Sequence, residues 1–394
     1  MTPVDAHLKR VLGELHPLPE LELRLLDAHG CVLAEDVVAE GPLPAHDTAT
    51  VDGYAVRAAD VAAATAEAPV SLHVVADVPV GQVPTVVVQQ ALAVRVRAGS
   101  VVPRGTEAVV PAAYTDGGIA HVRVARPVPA GAYVRRAGDD VAAGTPVLSR
   151  SALVNAPQVA LLAAVGRRNV LARPRPRVVV VASGADLAGE AAVRDASGTA
   201  IAAAVREAGG VAYHAGVVAE DPREFANVVE DHLIQADLVV VTGSGIDAVS
   251  RDVLPRLGEV TFEDLAMEPA GVHGFGRIGP DGTPVFALPG GAVASLVAFE
   301  VFVRPALRRM LGSETLGRPH VSAVATRSFA SAPGRRDFVR ARVERSADRW
   351  VVTPVAPHLA GFAAANALTI VPEDVSEVAE GTPLLTWLLE RRGV

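Results

Sequence analysis

An α/β multi-domain protein, with a mostly parallel sheet in the second half of the chain and β-rich segments on either side, is what this 394-residue sequence predicts. Three observations carry that expectation. The runs RVVVVASG (177–184) and ADLVVVTGSG (236–245) are continuously apolar and alternate with helical patterns, as strands buried on both faces and linked by crossover helices do. Residues 43–147 break into short Val-rich runs between Pro and Gly punctuation, which reads as strand. From Gly317 onward the runs HVSAVATRSF, DFVRARVERS, RWVVTPVA, ALTIVPED and TPLLTWLL form a second β segment, a small barrel or sandwich.

The elements follow in order. Residues 4–15 place Leu8, Leu12 and Leu15 on one face of an amphipathic helix. Asn155 caps a helix over 157–165 in which Val159, Leu162 and Val165 recur at helical spacing. The run RPRPR (173–177) reads as a stiff linker, because each Pro fixes its own φ and disfavours helix before it. A helix over 199–208 turns Ile201, Val205 and Ala208 inward and ends at Gly209-Gly210. VAYHAGVV (211–218) is a strand. Asp221 caps and Pro222 opens a helix carrying Phe225, Val228, Val229 and Leu233 on one face. GEVTF, PVFALPG and a long apolar helix over 292–310 complete the α/β unit. Ligands of such sheets lie at the carboxyl ends of strands, here the turns at Ser183-Gly184, Gly243-Ser244-Gly245 and Pro289-Gly290-Gly291.

Composition excludes several functions. Half the residues are hydrophobic, enough for real cores, and the net charge of -8 argues against a binder that neutralises nucleic-acid phosphates. A single cysteine, Cys31, allows no internal disulfide and suits a reducing compartment. The first residues carry acidic groups rather than the apolar core of a signal peptide, and no apolar run is long enough to span a bilayer, so a cytoplasmic protein without membrane insertion is expected. Lys9 is the one lysine against thirty-five arginines, so neither a P-loop lysine nor an interior Schiff base is available.

The candidate chemistry is sparse. VVVTGSGID could cradle an anion at a helix start, or be a tight turn with no ligand; it lacks the third glycine of a dinucleotide fingerprint. The eleven histidines contain no H-x-x-x-H pair, and no G-x-S-x-G elbow occurs. Asp47 and Asp52 bracket a short loop, and Asp139-Asp140 follow Gly138. Such carboxylates suit a hard cation such as magnesium, or simply make turns.

Taken together, the motifs resemble one family: MoeA, the molybdopterin molybdenumtransferases, with the gephyrin E domain. DTATVDGYAV (47–56) is similar to D-N-S-A-M-D-G-Y-A-V, and RVRAGSVVPRGTEAVV (95–110) to R-I-M-T-G-A-x-x-P-x-G-A-D-A-V-V. YVRRAGDDV (133–141), VASGADL (181–187), LPGGAVAS (288–295) and the ANAL…P of 365–372 match further stretches in the same order, through nearly the whole chain.

The resemblance implies four domains: a helical, discontinuous one (1–43 plus 140–172), a β-rich insertion (44–139), a three-layer MogA-like α/β domain (173–316) and a β-barrel (317–394). It implies a homodimer that inserts molybdenum from molybdate into adenylated molybdopterin (molybdopterin-AMP) with magnesium assisting. Asp52, Asp140, Asp186 and Asp195 would be catalytic, and Asp52 and Asp140 would hold the metal. Gly184, Gly243, Ser244, Gly245, Pro289, Gly290 and Gly291 would bind the pterin substrate. The alternative is a gephyrin-like scaffold that docks a peptide of a membrane or cell-division partner.

Several polar positions of the family pattern are missing. Its M-T-G-A threonine is Ala98, an acid of G-D-E-L is Ala185, and the S-G-G-V-S loop is shortened, with Asp247 the remaining acid. The lysine or glutamine before P-G is Glu268, the following basic position is Gly271, and Asn-Pro is Gly291-Ala292. Losing one positioned charge-stabilising donor costs ~2.7–4 kcal/mol of transition-state stabilisation. Weakened activity is therefore expected unless arginines such as Arg251 or Arg277 compensate.

Overall fold

The computed structural model describes residues 1–184, 195–218, 221–243, 248–269 and 271–389. The chain forms two compact units, Arg24–Asp27 with Glu35–Val170, and Met1–Leu23 with Ala28–Ala34 and Leu171–Val394.

The smaller unit is built on β1 (Gly53–Val56), β2 (Val70–Val78), β3 (Leu92–Val96), β4 (Ala108–Pro111) and β5 (His121–Val124), ordered β4-β1-β3-β2-β5. Successive side chains take opposite faces, as a period of two requires. Tyr54, Val56, Val110 and Val122 share one core cluster, while Ala55, Val94, Val96 and Val109 share another. Gly53 has a steric reason to be glycine, since a Cβ there would overlap the Val110 carbonyl oxygen. A helix over Ala156–Ala164 follows, with Asn155 N–H donating to Gln158 Oε1 at 3.2 Å; Leu162 is its buried residue.

In the larger unit α1 (Val4–Glu14) buries Val4, His7 and Val11, with Leu15 just beyond it. Leu8 and Leu12 are only partly buried, so the inward face lies one residue away from the leucine stripe read from the sequence. The α/β sheet comprises β6 (Arg177–Ser183), β7 (Val211–Val218), β8 (Leu238–Gly243), β9 (Gly258–Asp264), β10 (Val272–Ile278) and β11 (Thr283–Pro289). Their order is β7-β6-β8-β11-β10-β9. The first four are parallel, and β10 and β9 add antiparallel. Sequence reading passes over β10 because its run, VHGFGRI, is broken by Gly274 and Gly276, which sit where a Cβ would strike Phe262 or the Glu259 carbonyl.

Helices cover both faces. Val178, Val180, Leu238, Val240, Phe286 and Leu288 pack toward α2 (Ala196–Glu207) and the helix following β11. Val179, Val181, Val239, Val241, Val285 and Ala287 pack toward α3 (Pro222–Leu233) and α4 (Ala248–Leu257). The expected long helix is present as α5 (Ala292–Ala298), a π-helical turn over Phe299–Val303 and α6 (Arg304–Met310).

The barrel expectation holds, and the sandwich is excluded. β12 (His320–Ala325), β13 (Arg336–Ser346), β14 (Arg349–Pro354), β15 (Ala367–Val371) and β16 (Pro383–Leu388) run β13-β14-β12-β16-β15, and β13–β15 pairing closes the ring. Phe338, Phe362 and Leu368 of this segment join the same core as Val178 and Phe286. A shared core makes the α/β and barrel segments one unit.

A buried ion cluster ties them together. Glu300, 6% exposed and inside the π turn, accepts from Arg304 Nε at 2.6 Å and from Arg318 Nε and Nη2, both at 2.8 Å. Arg318 Nη1 also donates to the Leu389 carbonyl at 2.7 Å. Burial pushes the Glu300 carboxyl up, but Arg318 and Arg304 outweigh it and hold the group below the usual carboxylate range. Removing one member of a buried pair costs about 3–5 kcal/mol. Glu300→Gln should therefore lose about that much unfolding free energy in urea at neutral pH. Because the native carboxyl is depressed, its contribution is full above the unfolded value of about 4.3 and is lost as pH falls through the native one. The variant should lack that acid limb.

His7 gives a second pH-dependent contribution. It is 1% exposed and packs edge-on to Phe302 with ring centroids 5.0 Å apart, and its Nδ1 lies 3.1 Å from Arg10 Nη2. Burial first, then the Arg10 charge, lower its pKa, against the pull of Glu263. The imidazole is thus held neutral, so its stabilisation is complete above the unfolded value of about 6.5 and is lost as pH falls. His7→Phe should flatten the stability loss between pH 7 and 5, measured as the difference between the two unfolding curves.

Candidate active site

The parallel strands end on a cavity of about 530 Å³ in the larger unit. Ser183 closes β6, Thr242 and Gly243 close β8, and Gly290 and Gly291 follow β11; all five line it. Gly291 takes φ 86° to turn the chain from β11 into α5, a conformation costly for any residue with a Cβ. Asp195, Ala196 and Ser197 bring the start of α2 to the wall. The barrel contributes Arg340, and the short strand Met267–Glu268 contributes Glu268.

Two features show what chemistry this cavity takes. Ser183 Oγ and Thr242 Oγ1 are fully buried and have no hydrogen-bond partner among the described residues. An unmet buried hydroxyl costs about 1–3 kcal/mol, so both await a polar occupant. Arg340 is the second feature. Its Nη1 donates to the Phe338 carbonyl at 3.2 Å and its Nη2 to that of Pro357 at 3.4 Å, while Nε is buried with no partner among the described residues. Burial lowers the Arg340 pKa, and Asp337 and Glu268 counter it. A guanidinium with an unused N–H beside two unmet hydroxyls is a set for an oxyanion.

The acidic groups of the cavity are restrained. Glu268 Oε2 lies 3.5 Å from Arg335 Nη1. Asp337, the backbone partner of Glu268 across the strands, has its carboxyl pushed up by burial and by Glu268, against Ser331 and Arg340. Asp195 is engaged at both oxygens, accepting from Gly198 N–H at 2.7 Å and lying 2.8 Å from His214 Nε2.

Of the residues anticipated from the sequence, Asp195, Gly243, Gly290 and Gly291 come together here, with Gly184 and Pro289 adjacent in the chain. Asp186, Ser244, Gly245 and Asp247 lie outside the described residues. Asp52 and Asp140 belong to the smaller unit, where Asp52 Oδ1 accepts from Ala98 N–H at 2.8 Å and Asp140 is bonded to Arg135. Among the described residues no three His, Cys, Asp or Glu side chains gather in a group that could hold a metal ion. Neither suggested replacement cation lines the cavity: Arg277 donates to the Gly282 and Glu14 carbonyls, and Arg251 stacks over Phe262. The cation is Arg340, which sequence reading missed; as one of four arginines in the strand run RDFVRARVERS it carries no local signal of its own. Ser183 and Thr242 were legible only as members of strand ends.

Comparison with known proteins agrees with this arrangement. Family models match residues 2–166 (MoeA N-terminal region, domain I and II), 179–309 (probable molybdopterin binding domain) and 322–389 (MoeA C-terminal region, domain IV). Molybdopterin molybdenumtransferase 2 of Mycobacterium tuberculosis is 37% identical, covering 98% of this chain and 99% of its own, and molybdopterin molybdenumtransferase 1 is 38% identical over 97% of each. A crystal structure of a molybdopterin biosynthesis MoeA protein from Pyrococcus horikoshii superposes with TM-score 0.78 at 26% identity over 99% of both chains. With the fold, the order of its segments and the full-length sequence all matched, the chain belongs to the MoeA family of molybdopterin molybdenumtransferases.

Proposed function

We propose that this protein is a molybdopterin molybdenumtransferase: it takes adenylated molybdopterin and molybdate and leaves molybdenum on the pterin dithiolene, releasing the nucleotide. One observation carries the reading. Arg340, Ser183 and Thr242 line one cavity, their Nε, Oγ and Oγ1 atoms are buried without partners among the described residues, and the model matching the central segment is a probable molybdopterin binding domain. Arg340 holds an anionic group of the substrate, and the two hydroxyls at the strand ends orient it. Preorganised donors of this kind act where charge develops and need no rearrangement during the reaction. The described residues assemble no magnesium shell, and the reading routes no step through that ion.

Activity weaker than that of relatives with a lysine or glutamine at position 268 is part of the proposal, because Glu268 sets a carboxylate beside an anionic guest. The Arg335 partner moderates that repulsion without supplying an attraction. The homodimer of the family is part of it too, and sedimentation of the purified chain checks that directly.

The decisive experiment follows conversion of adenylated molybdopterin with molybdate by the purified protein. Turnover is expected. Arg340→Gln should lower kcat/KM by about 10²–10³, and Glu268→Gln should raise it. Binding of a partner peptide with no conversion of the adenylated pterin, under conditions where a relative turns over, would replace this reading with the peptide-docking scaffold.

A further inference from the structure

We propose that His214 is a positioning residue of this cavity: its imidazole fixes the Asp195 carboxylate, and through it the start of α2, in the wall that faces the anionic guest. The proposal rests on three separate features of the chain that meet at one point. The first is the contact. His214 Nε2 lies 2.8 Å from Asp195 Oδ2, and the other oxygen of the same carboxylate accepts from Gly198 N–H at 2.7 Å. The Asp195 side chain is 6% exposed and that of His214 31%, so the pair closes the wall from its outer side.

The second feature is a bulge. Along β7, Val180 of β6 faces His214 while Val181 faces Gly216, so Ala215 is an extra residue. Gly216 takes φ 90° with open space around it, so it is glycine for its backbone conformation and not for room. The irregularity breaks the alternation of the strand, and both Tyr213 and His214 lie on its exposed positions. Bulges of this kind re-aim a side chain, here the imidazole.

The third feature is Gly198, in the first turn of α2. A Cβ there would lie 2.7 Å from His214 Nε2 and closer still to Asp195 Oδ2. Glycine inside a helix costs about 0.8–1 kcal/mol against alanine, so room for the pair is bought at that expense. With one oxygen on the helix start and the other on the imidazole, Asp195 turns its charge away from an incoming anion. Released, it would swing as a free carboxylate into a cavity that binds oxyanions.

For its kinetic part the inference rests on the transferase reading; its binding part does not. His214→Ala should lower kcat by about 10²-fold, the effect of a roughly 1 Å misplacement, with KM for adenylated molybdopterin changed less. His214→Gln, whose side-chain amide can donate to Asp195 without titrating, should restore most of the loss. Gly198→Ala, which crowds the pair from the other side, should reproduce the His214→Ala defect. A role confined to folding would lower the urea midpoint of His214→Ala and leave its kcat alone, and that result overturns the proposal. Calorimetric titration with orthophosphate gives the second arm: affinity should fall several-fold in His214→Ala and recover in His214→Gln. Equal phosphate affinities in all three proteins would also overturn it. Wild-type protein that binds orthophosphate without turning over would sink the transferase reading instead, and the phosphate affinities would then decide the role of His214.

Discussion

The cavity has walls from two segments of the larger unit, so its geometry depends on how the barrel is registered on the α/β sheet. The Glu300 cluster sets that register. Arg318 stands at the entrance of the barrel and Leu389 at its exit, and both are tied to a carboxylate on the helix that begins at the cavity rim. Apolar contacts such as Phe338 and Leu368 against Phe286 supply more of the burial, but they are non-directional. A carboxylate held by two guanidinium groups accepts few arrangements. Its desolvation cost means that it adds little net stability. What it contributes is a fixed angle between the strand ends and Arg340.

The π turn belongs to the same arrangement. Phe299–Val303 are all buried, and the extra residue rotates the helix so that Glu300 and Arg304 point toward Arg318 while Phe299 and Phe302 remain in the core. Arg304 also lies over the Phe299 ring, 6.0 Å from its centroid. A regular helix from 292 to 310 would satisfy the apolar periodicity that reveals it in the sequence. The buried charges require a departure from that regularity, and π turns of this kind are common at functional sites.

Much of the fold was legible because it depends on local pattern. The parallel strands announce themselves as unbroken Val runs, the caps Asn155 and Asp221 lie where helix-start chemistry puts them, and the barrel strands alternate clearly. The stripe of α1 was misplaced because leucine spacing alone cannot rank Leu8 and Leu12 below a buried histidine that finds Arg10 and Phe302 as partners. The site was less legible. Its glycine turns are local and were found, as was Asp195 through the resemblance, whereas Ser183, His214, Thr242 and Arg340 come from four separate segments, joined only by the sheet order and the closed barrel. The Asp195–His214 pair spans nineteen residues and a bulge, which no motif of fixed spacing encodes.

Counting formal charges around the cavity overstates what Glu268 does. Among the described residues the two acids that line it are engaged, Glu268 by Arg335 and Asp195 by the α2 start and His214, while burial of nearby Asp337 favours its neutral form. Arg340 is different, because its hydrogen-bond partners are carbonyl oxygens and its Nε–H has no partner among the described residues, although Asp337 and Glu268 favour its charged form. An anion entering the cavity therefore meets a guanidinium and two hydroxyls that gain hydrogen bonds, and carboxylates that already have theirs. Where the family pattern has a lysine or glutamine, Glu268 places a carboxylate, and that carboxylate is paired with Arg335. Arg340 is the one cationic side chain among the described residues that line the cavity.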